Sequence, residues 1–214
     1  MKEFDYSAVP HYKFYGFVKK VFGPVLKRLY NVEYKGLENV PAGESGYIVA
    51  INHTCMLDPV FVSMPKKVPA LHFMAKSELF ENPVVAWVIT HVYGFPVHRG
   101  KGDTSAIDYG IKLIREGHIM AICPEGRRVK DKNGVPQHAK AGVAVIAHAT
   151  GADVLPVAIC SRGPIKPFKK VVVSYGKMIK NEDLQMTDDA KPSQIKAAAN
   201  MVMKEILDLW EAEV

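Results

Sequence analysis

Short apolar runs alternate along this chain with segments in which apolar residues recur every three or four positions. Runs of strand length lie at 47–52, 70–75, 95–99, 118–123, 154–160 and 170–175, between polar or glycine-rich breaks. Between them, 3.6-residue spacing predicts helices that start at Pro59 and cover 82–92, 104–116, 140–150 and 192–212. Asp103 is a candidate cap for the third of these, Gly117 its stop, and Gly151 stops the fourth. In the last, Ile195, Ala198, Ala199, Val202, Ile206 and Leu209 share one face. Such alternation predicts a single α/β domain, with a mostly parallel central sheet flanked by helices on both sides. No internal repeat, low-complexity tract or interdomain linker interrupts it.

The opening segment follows another pattern. Phe14, Phe17, Val18, Val21, Phe22, Val25, Leu26 and Leu29 recur as on one helical face, while Lys13, Lys19, Lys20, Lys27 and Arg28 occupy others. Gly23-Pro24 is expected to kink or break this helix, because proline removes a donor and disfavours helical geometry in the residue before it. An aromatic face with a lysine-rich flank is the pattern of an interfacial helix. It is equally the pattern of an amphipathic helix packed on its own domain. The chain therefore divides into an amphipathic segment at 1–35, expected to associate with a membrane, and a domain at 36–214.

Composition narrows the partners. With 48% hydrophobic and 23% charged residues the chain is an ordinary globular one. A formal charge of +6 and a pI near 9.1 point to anionic partners: nucleic acid, an anionic membrane surface or phosphorylated small molecules. No helix-turn-helix, RNP or finger pattern is present, so nucleic acid is not expected. Cys55, Cys123 and Cys160 show no CxxC spacing, which favours a reduced, intracellular setting over a disulfide scaffold. The histidines lack HExxH or paired-cysteine spacing, so no metal site is expected. The opening residues do not read as a secretory signal. The longest uncharged stretch, 82–97, holds Pro83, Gly94 and Pro96 and falls short of the ~20 residues of a bilayer span, so no transmembrane helix is expected.

Candidate chemistry sits where strands end. After the run 47–52 come Asn52-His53 and, five positions on, Asp58-Pro59. Histidine is the side chain best placed to take a proton near neutral pH, and a carboxylate can fix its tautomer and favour the imidazolium. Five residues at ~100° each leave the two about 140° apart on a straight helix, so contact has to come through a turn. Pro59 suits a first helical position, which makes Asp58 a candidate helix cap; on that reading alone His53 is an incidental loop residue. A second strand end, Phe95-Pro96-Val97-His98-Arg99-Gly100-Lys101-Gly102, carries Arg99, able to hold phosphate bidentately; a solvated charge cluster is the alternative. A third, Cys123-Pro124-Glu125-Gly126-Arg127-Arg128, offers Glu125 to substrate hydroxyls, the Gly126 N–H to an oxyanion and Arg128 to phosphate; a surface Glu–Arg pair is the alternative. Lys140 and Gly142 then open an apolar helix. A last run, Val154-Leu155-Pro156-Val157, has no catalytic side chain and reads as support. Several polar strand ends together fit a site on the carboxyl edge of an α/β sheet.

In this order, NHxxxxD, an arginine block, Pro-Glu-Gly with Arg128, and a Leu-Pro-Val strand, residues 46–160 resemble the glycerolipid acyltransferase family. The resemblance implies transfer of an acyl group from acyl-CoA or acyl carrier protein to a glycerol hydroxyl of lysophosphatidate, with no cofactor beyond that co-substrate. It implies His53 as general base, Asp58 as its orienting carboxylate, and Arg99, Glu125, Gly126, Arg128 and Lys140 around the acceptor's phosphate and glycerol. Cys55 falls at a position the family leaves variable. Arg127 stands where the family has threonine, and Cys123 where it has an aromatic residue, which bears on the headgroup accepted. Glycerol-3-phosphate or other lysophospholipid acceptors, and a non-catalytic lipid-binding protein, are the alternatives. A peripheral position on the cytoplasmic face of an anionic phospholipid membrane is the expected location.

Overall fold

The computed structural model describes residues 4–7, 9, 12–43, 45–98, 104–129 and 135–214. Among these residues seven strands form one sheet: β1 (Val32–Lys35), β2 (Ile48–Ile51), β3 (Leu71–Lys76), β4 (Gly94–Val97), β5 (Ile119–Ile122), β6 (Val154–Cys160) and β7 (Val171–Tyr175). Their order is β1-β7-β6-β2-β5-β3-β4, and every neighbouring pair is parallel except β6 and β7. Among the described residues six α-helices accompany them: α1 (Lys13–Leu29), α2 (Asp58–Ser63), α3 (Pro83–His91), α4 (Thr104–Arg115), α5 (Gly142–Thr150) and α6 (Pro192–Glu211). The mostly parallel α/β sheet expected from the pattern is present. One strand, β1, had no signal: Val-Glu-Tyr-Lys is too short and too polar to register, and pairing with β7 alone makes it a strand.

The strands are continuous apolar runs because both faces of the sheet are covered. On β2, Ile48 and Ala50 enter the cluster built with α4, α5 and α6, including Leu113, Ile146 and Val202. Val49 and Ile51 enter the opposite cluster with Phe61 and Val62 of α2. A residue such as Ile51, fully buried, supplies on the order of 2–5 kcal/mol that truncation to alanine removes.

Helix α1 runs through Gly23-Pro24 without the expected break. Proline frees one carbonyl, that of Lys20, and Lys20 lies on an exposed part of the helix where water can take the bond. Gly23 is buried against α2, where an added Cβ would lie 3.1 Å from the Met64 sulfur. The helix is thus packed closely against the end of α2 at its weak point.

Chain order in the sheet reverses around β2 and β5. From β2 the chain leaves through α2 on one face towards β3, and from β5 through α5 on the other face towards β6. Adjacent parallel strands that depart to opposite sides leave a crevice beyond their carboxyl ends. Ala50 is in register with Ile122, so His53 and Glu125 emerge side by side.

Candidate active site

His53 leaves β2 in a turn, and Asp58 closes that turn from its far end. The His53 Nδ1 lies 2.8 Å from Asp58 Oδ2. The same oxygen accepts the backbone N–H of Thr54 at 2.6 Å and of Cys55 at 2.9 Å, while Oδ1 accepts the Thr54 hydroxyl at 2.8 Å and the Cys55 thiol at 3.3 Å. Asp58 is wholly buried. It begins α2 but caps no helical N–H; its carboxylate reaches back to collect the donors of the turn before it. The expected helix cap is thus a turn cap. The reason is steric: Pro59 has no N–H to offer, and the N–H groups of Thr54 and Cys55 converge behind the carboxylate instead.

A carboxylate can only accept, so Nδ1 carries the proton and Nε2 is the ring nitrogen available to substrate. The imidazole, its side chain 15% exposed, lines a cavity of about 730 Å³. Phe73, Met74, Val97, Ile107, Ile111 and Val143 give that cavity an apolar wall, and His53, Gly126 and Lys140 supply polar groups. Cys55 lies within the turn as a thiol, pushed up to about 12 by burial and then by the Asp58 charge, which removes it as a thiolate nucleophile.

The backbone of His53 is clamped as firmly as its ring. Its N–H donates to Glu125 Oε2 at 2.7 Å, and its carbonyl accepts from Val129 N–H at 2.8 Å. The other Glu125 oxygen accepts the Gln137 N–H at 3.0 Å. Glu125 is buried, and burial raises its pKa above the ordinary glutamate value, opposed by those two backbone donors. Expected to meet substrate hydroxyls, Glu125 instead braces the turn: both oxygens are engaged by main chain because the loop after β5 folds back over β2. The Gly126 N–H, expected to face an oxyanion, donates to Cys123 O at 2.9 Å and closes the turn after β5.

Gly126 has a separate reason to be glycine. Its φ is +67°, and a Cβ there would lie 2.7 Å from Lys140 Cδ and 3.3 Å from its Nζ. The Lys140 N–H donates to Pro124 O at 2.7 Å, so the lysine is laid across the glycine into the cavity. The two adjacent arginines, of which only Arg128 was expected at the phosphate, fare differently. Arg128 is exposed and contributes nothing to the cavity wall, whereas Arg127 lines an adjoining recess with Glu125, His138 and Lys140. In an irregular turn successive side chains diverge, which sequence spacing does not reveal. Arg99, with the neighbouring Gly100, Lys101, Gly102 and Asp103, lies outside the described residues; His98 lines the cavity.

One positioning residue carried no assigned role. Asn52, fully buried, donates through Nδ2 to Ile159 O at 2.9 Å and accepts the Ile159 N–H at 2.7 Å. Its amide continues the β2–β6 ladder one step beyond the strand and anchors the start of the His53 turn. A polar amide directly following a buried apolar run was the available signal.

The model of the acyltransferase family matches residues 31–160. A 1-acyl-sn-glycerol-3-phosphate acyltransferase of Bacillus subtilis (strain 168) is 32% identical over 186 residues, 86% of this chain and 90% of that protein. One from Streptococcus pneumoniae is 28% identical over 185 residues, 85% of this chain and 67% of its own length. The crystal structure of a 1-acyl-sn-glycerophosphate acyltransferase from Thermotoga maritima superposes with a TM-score of 0.60 at 21% identity, over 91% of this chain and 82% of that one; it has the same fold.

Proposed function

The chain belongs to the acyltransferase family, and we propose that within it this protein transfers a fatty acyl group from an acyl thioester to the sn-2 hydroxyl of 1-acylglycerol-3-phosphate, forming phosphatidate. The observation that carries this reading is His53, held by the buried Asp58 and facing a largely apolar cavity that also holds Lys140. Relatives with the matching activity in their names, similar over most of this chain, support the acceptor.

In the reaction so read, Nε2 of His53 takes the hydroxyl proton as the acceptor oxygen attacks the thioester carbonyl. Asp58 holds the Nδ1–H and stabilises the imidazolium that results. As the carbonyl re-forms, the C–S bond breaks and the imidazolium returns its proton to the departing thiolate. One ester bond forms, one thioester bond breaks, and no acyl-enzyme is needed. The donor is acyl-CoA or acyl carrier protein, and no further cofactor enters the scheme. The apolar cavity wall suits an acyl chain. Lys140, together with Arg128 and Arg99, receives the acceptor phosphate, with Lys140 the best placed of the described cations. Glu125 and Gly126 serve that site indirectly, the first by holding His53 and the second by making room for Lys140.

The enzyme works peripherally at an anionic membrane surface, where both lysophosphatidate and product reside. None of the helices among the described residues is long and apolar enough to cross a bilayer. A purified-protein assay that follows thiol release from acyl-CoA with lysophosphatidate tests the whole reading. Turnover is expected from the native chain and its near-abolition in His53→Ala; full turnover in that variant overturns the assignment of the base.

A further inference from the structure

Helix α3, Pro-Val-Val-Ala-Trp-Val-Ile-Thr-His, contains no Asp, Glu, Lys or Arg, yet none of its residues is buried. Val84 is 71% exposed and Trp87 50%, with Val85 and Val88 also in water. A helix apolar on all sides belongs in a protein core or in lipid, and this one is in no core. Its exposed side chains continue into those of α1, where Phe17, Val21, Phe22 and Val25 are open, and the two helices meet where the Phe14 and Trp87 rings lie 5.1 Å apart. Eight of the twelve large exposed apolar side chains among the described residues fall on these two helices. The exposed side of α1 also carries Lys13, Lys20 and Arg28.

Both helices are direct extensions of the cavity wall. Helix α3 joins β3 to β4, and Phe73, Met74 and Val97 of those strands line the cavity. Helix α1 seats Gly23 on Met64, just after α2, whose first residues are Asp58 and the cavity-lining Pro59.

We propose that α3 is a lipid-inserting element which, with the basic outer face of α1, docks the enzyme on an anionic phospholipid leaflet. The membrane contact is then a two-helix surface, not the amphipathic segment at 1–35 alone. This rests on the lipid acceptor proposed above: a product with two acyl chains has to leave into a bilayer, and the elements that touch the bilayer are those that frame the cavity. An uncharged helix beside a cationic one matches a leaflet in depth, hydrocarbon for α3 and anionic headgroups for α1.

The chain has two tryptophans, so Trp210→Phe leaves Trp87 as the sole reporter. With vesicles of mixed phosphatidylcholine and phosphatidylglycerol, Trp87 emission shifts to the blue and is quenched by lipids brominated along the acyl chain. Val84→Glu/Val88→Glu, at positions whose exposure leaves the fold intact, weakens vesicle association by about tenfold or more while turnover of detergent-dispersed acceptor persists. An unquenched Trp87 in protein that still co-sediments with vesicles overturns the proposal, as does unchanged vesicle binding by the double variant. Concentration-dependent dimers that shield Trp87 without lipid also overturn it, and assign α3 to a second copy of the chain. Failure of the acyltransfer reading has a different signature: vesicle binding intact, no turnover in any form.

Discussion

Replacing Asp58 by asparagine keeps the shape of the His53 turn and removes its charge. In the native turn Oδ2 takes three donors, Thr54 N–H, Cys55 N–H and His53 Nδ1–H, and Oδ1 takes the Thr54 hydroxyl and Cys55 thiol. An asparagine satisfies this set in one orientation: its oxygen in the Oδ2 place, its NH2 towards Thr54 Oγ1, which reverses its own hydrogen bond and accepts. Ring orientation and tautomer survive, and what is lost is the negative charge opposite the imidazolium that forms during transfer. A hydrogen bond to a charged group is worth about 1.5–3 kcal/mol against about 0.5–1.5 for a neutral one. The difference grows as the imidazolium develops, so Asp58→Asn should lower kcat by ~10–100-fold, equivalent to about 1.4–2.7 kcal/mol. His53→Ala, which keeps both backbone bonds to Glu125 and Val129, should lose the ~10²–10⁴-fold typical of a general base. Asp58→Ala is the wrong probe: all five donors lose their acceptor, and the three on Oδ2 alone, at about 1–3 kcal/mol each, approach the whole folding free energy of about 5–15 kcal/mol. Thiol release from acyl-CoA, measured with saturating lysophosphatidate beside thermal melts, separates the cases. Native kcat in Asp58→Asn refutes the charge argument, and a loss of kcat accounted for entirely by unfolding refutes the claim that the turn survives.

Four further outcomes follow from the same geometry. Lys140→Ala should raise the KM for lysophosphatidate by ~10–100-fold, the worth of one charge-assisted bond, and Arg128→Ala by far less; the reverse ranking in a steady-state assay defeats the placement of the phosphate. Gly126→Ala should act through Lys140, raising the acceptor KM while leaving the donor KM alone, and should also cost about 1–2 kcal/mol for a side chain at positive φ, both measurable on one preparation. Glu125, its pKa raised by burial, holds its proton in the fold to a higher pH than in the unfolded chain, where the ordinary value is 4.5. Between that value and the raised one the folded state binds more protons, so stability falls as pH rises through the window and levels off above it. Glu125→Gln should abolish that slope in melts taken at stepped pH; an unchanged slope assigns it to another group. Asn52→Ala leaves the Ile159 N–H and C=O unpaired and should cost about 2–3 kcal/mol, a melting decrease of about 4–12 °C for a chain of this size; a shift under a degree would mean water replaces the amide without cost.

Periodicity was enough to locate most of the architecture in this chain, because strands buried on both faces must be apolar throughout and helices on a sheet must be apolar on one face. The six anticipated strands and the helices between them all appear within a few residues of their expected bounds. β1 was invisible for the complementary reason, that an edge strand of four residues owes its conformation to the neighbour it pairs with. The site divides the same way. Which residues cluster was readable from strand ends, since parallel topology gathers the carboxyl ends of β2 and β5 at one edge. What each residue does there was not. Burial turned Asp58 from helix cap into the acceptor for a whole turn, and long-range pairing turned Glu125 from substrate ligand into a brace on His53. Hydrogen bonds between groups seventy residues apart depend on how the loops fold back, and no local pattern encodes that. The apolarity of α3 was plain in the sequence, yet only the tertiary structure decided that this helix stands outside the core, because whether an apolar helix is covered depends on what else the fold packs against it.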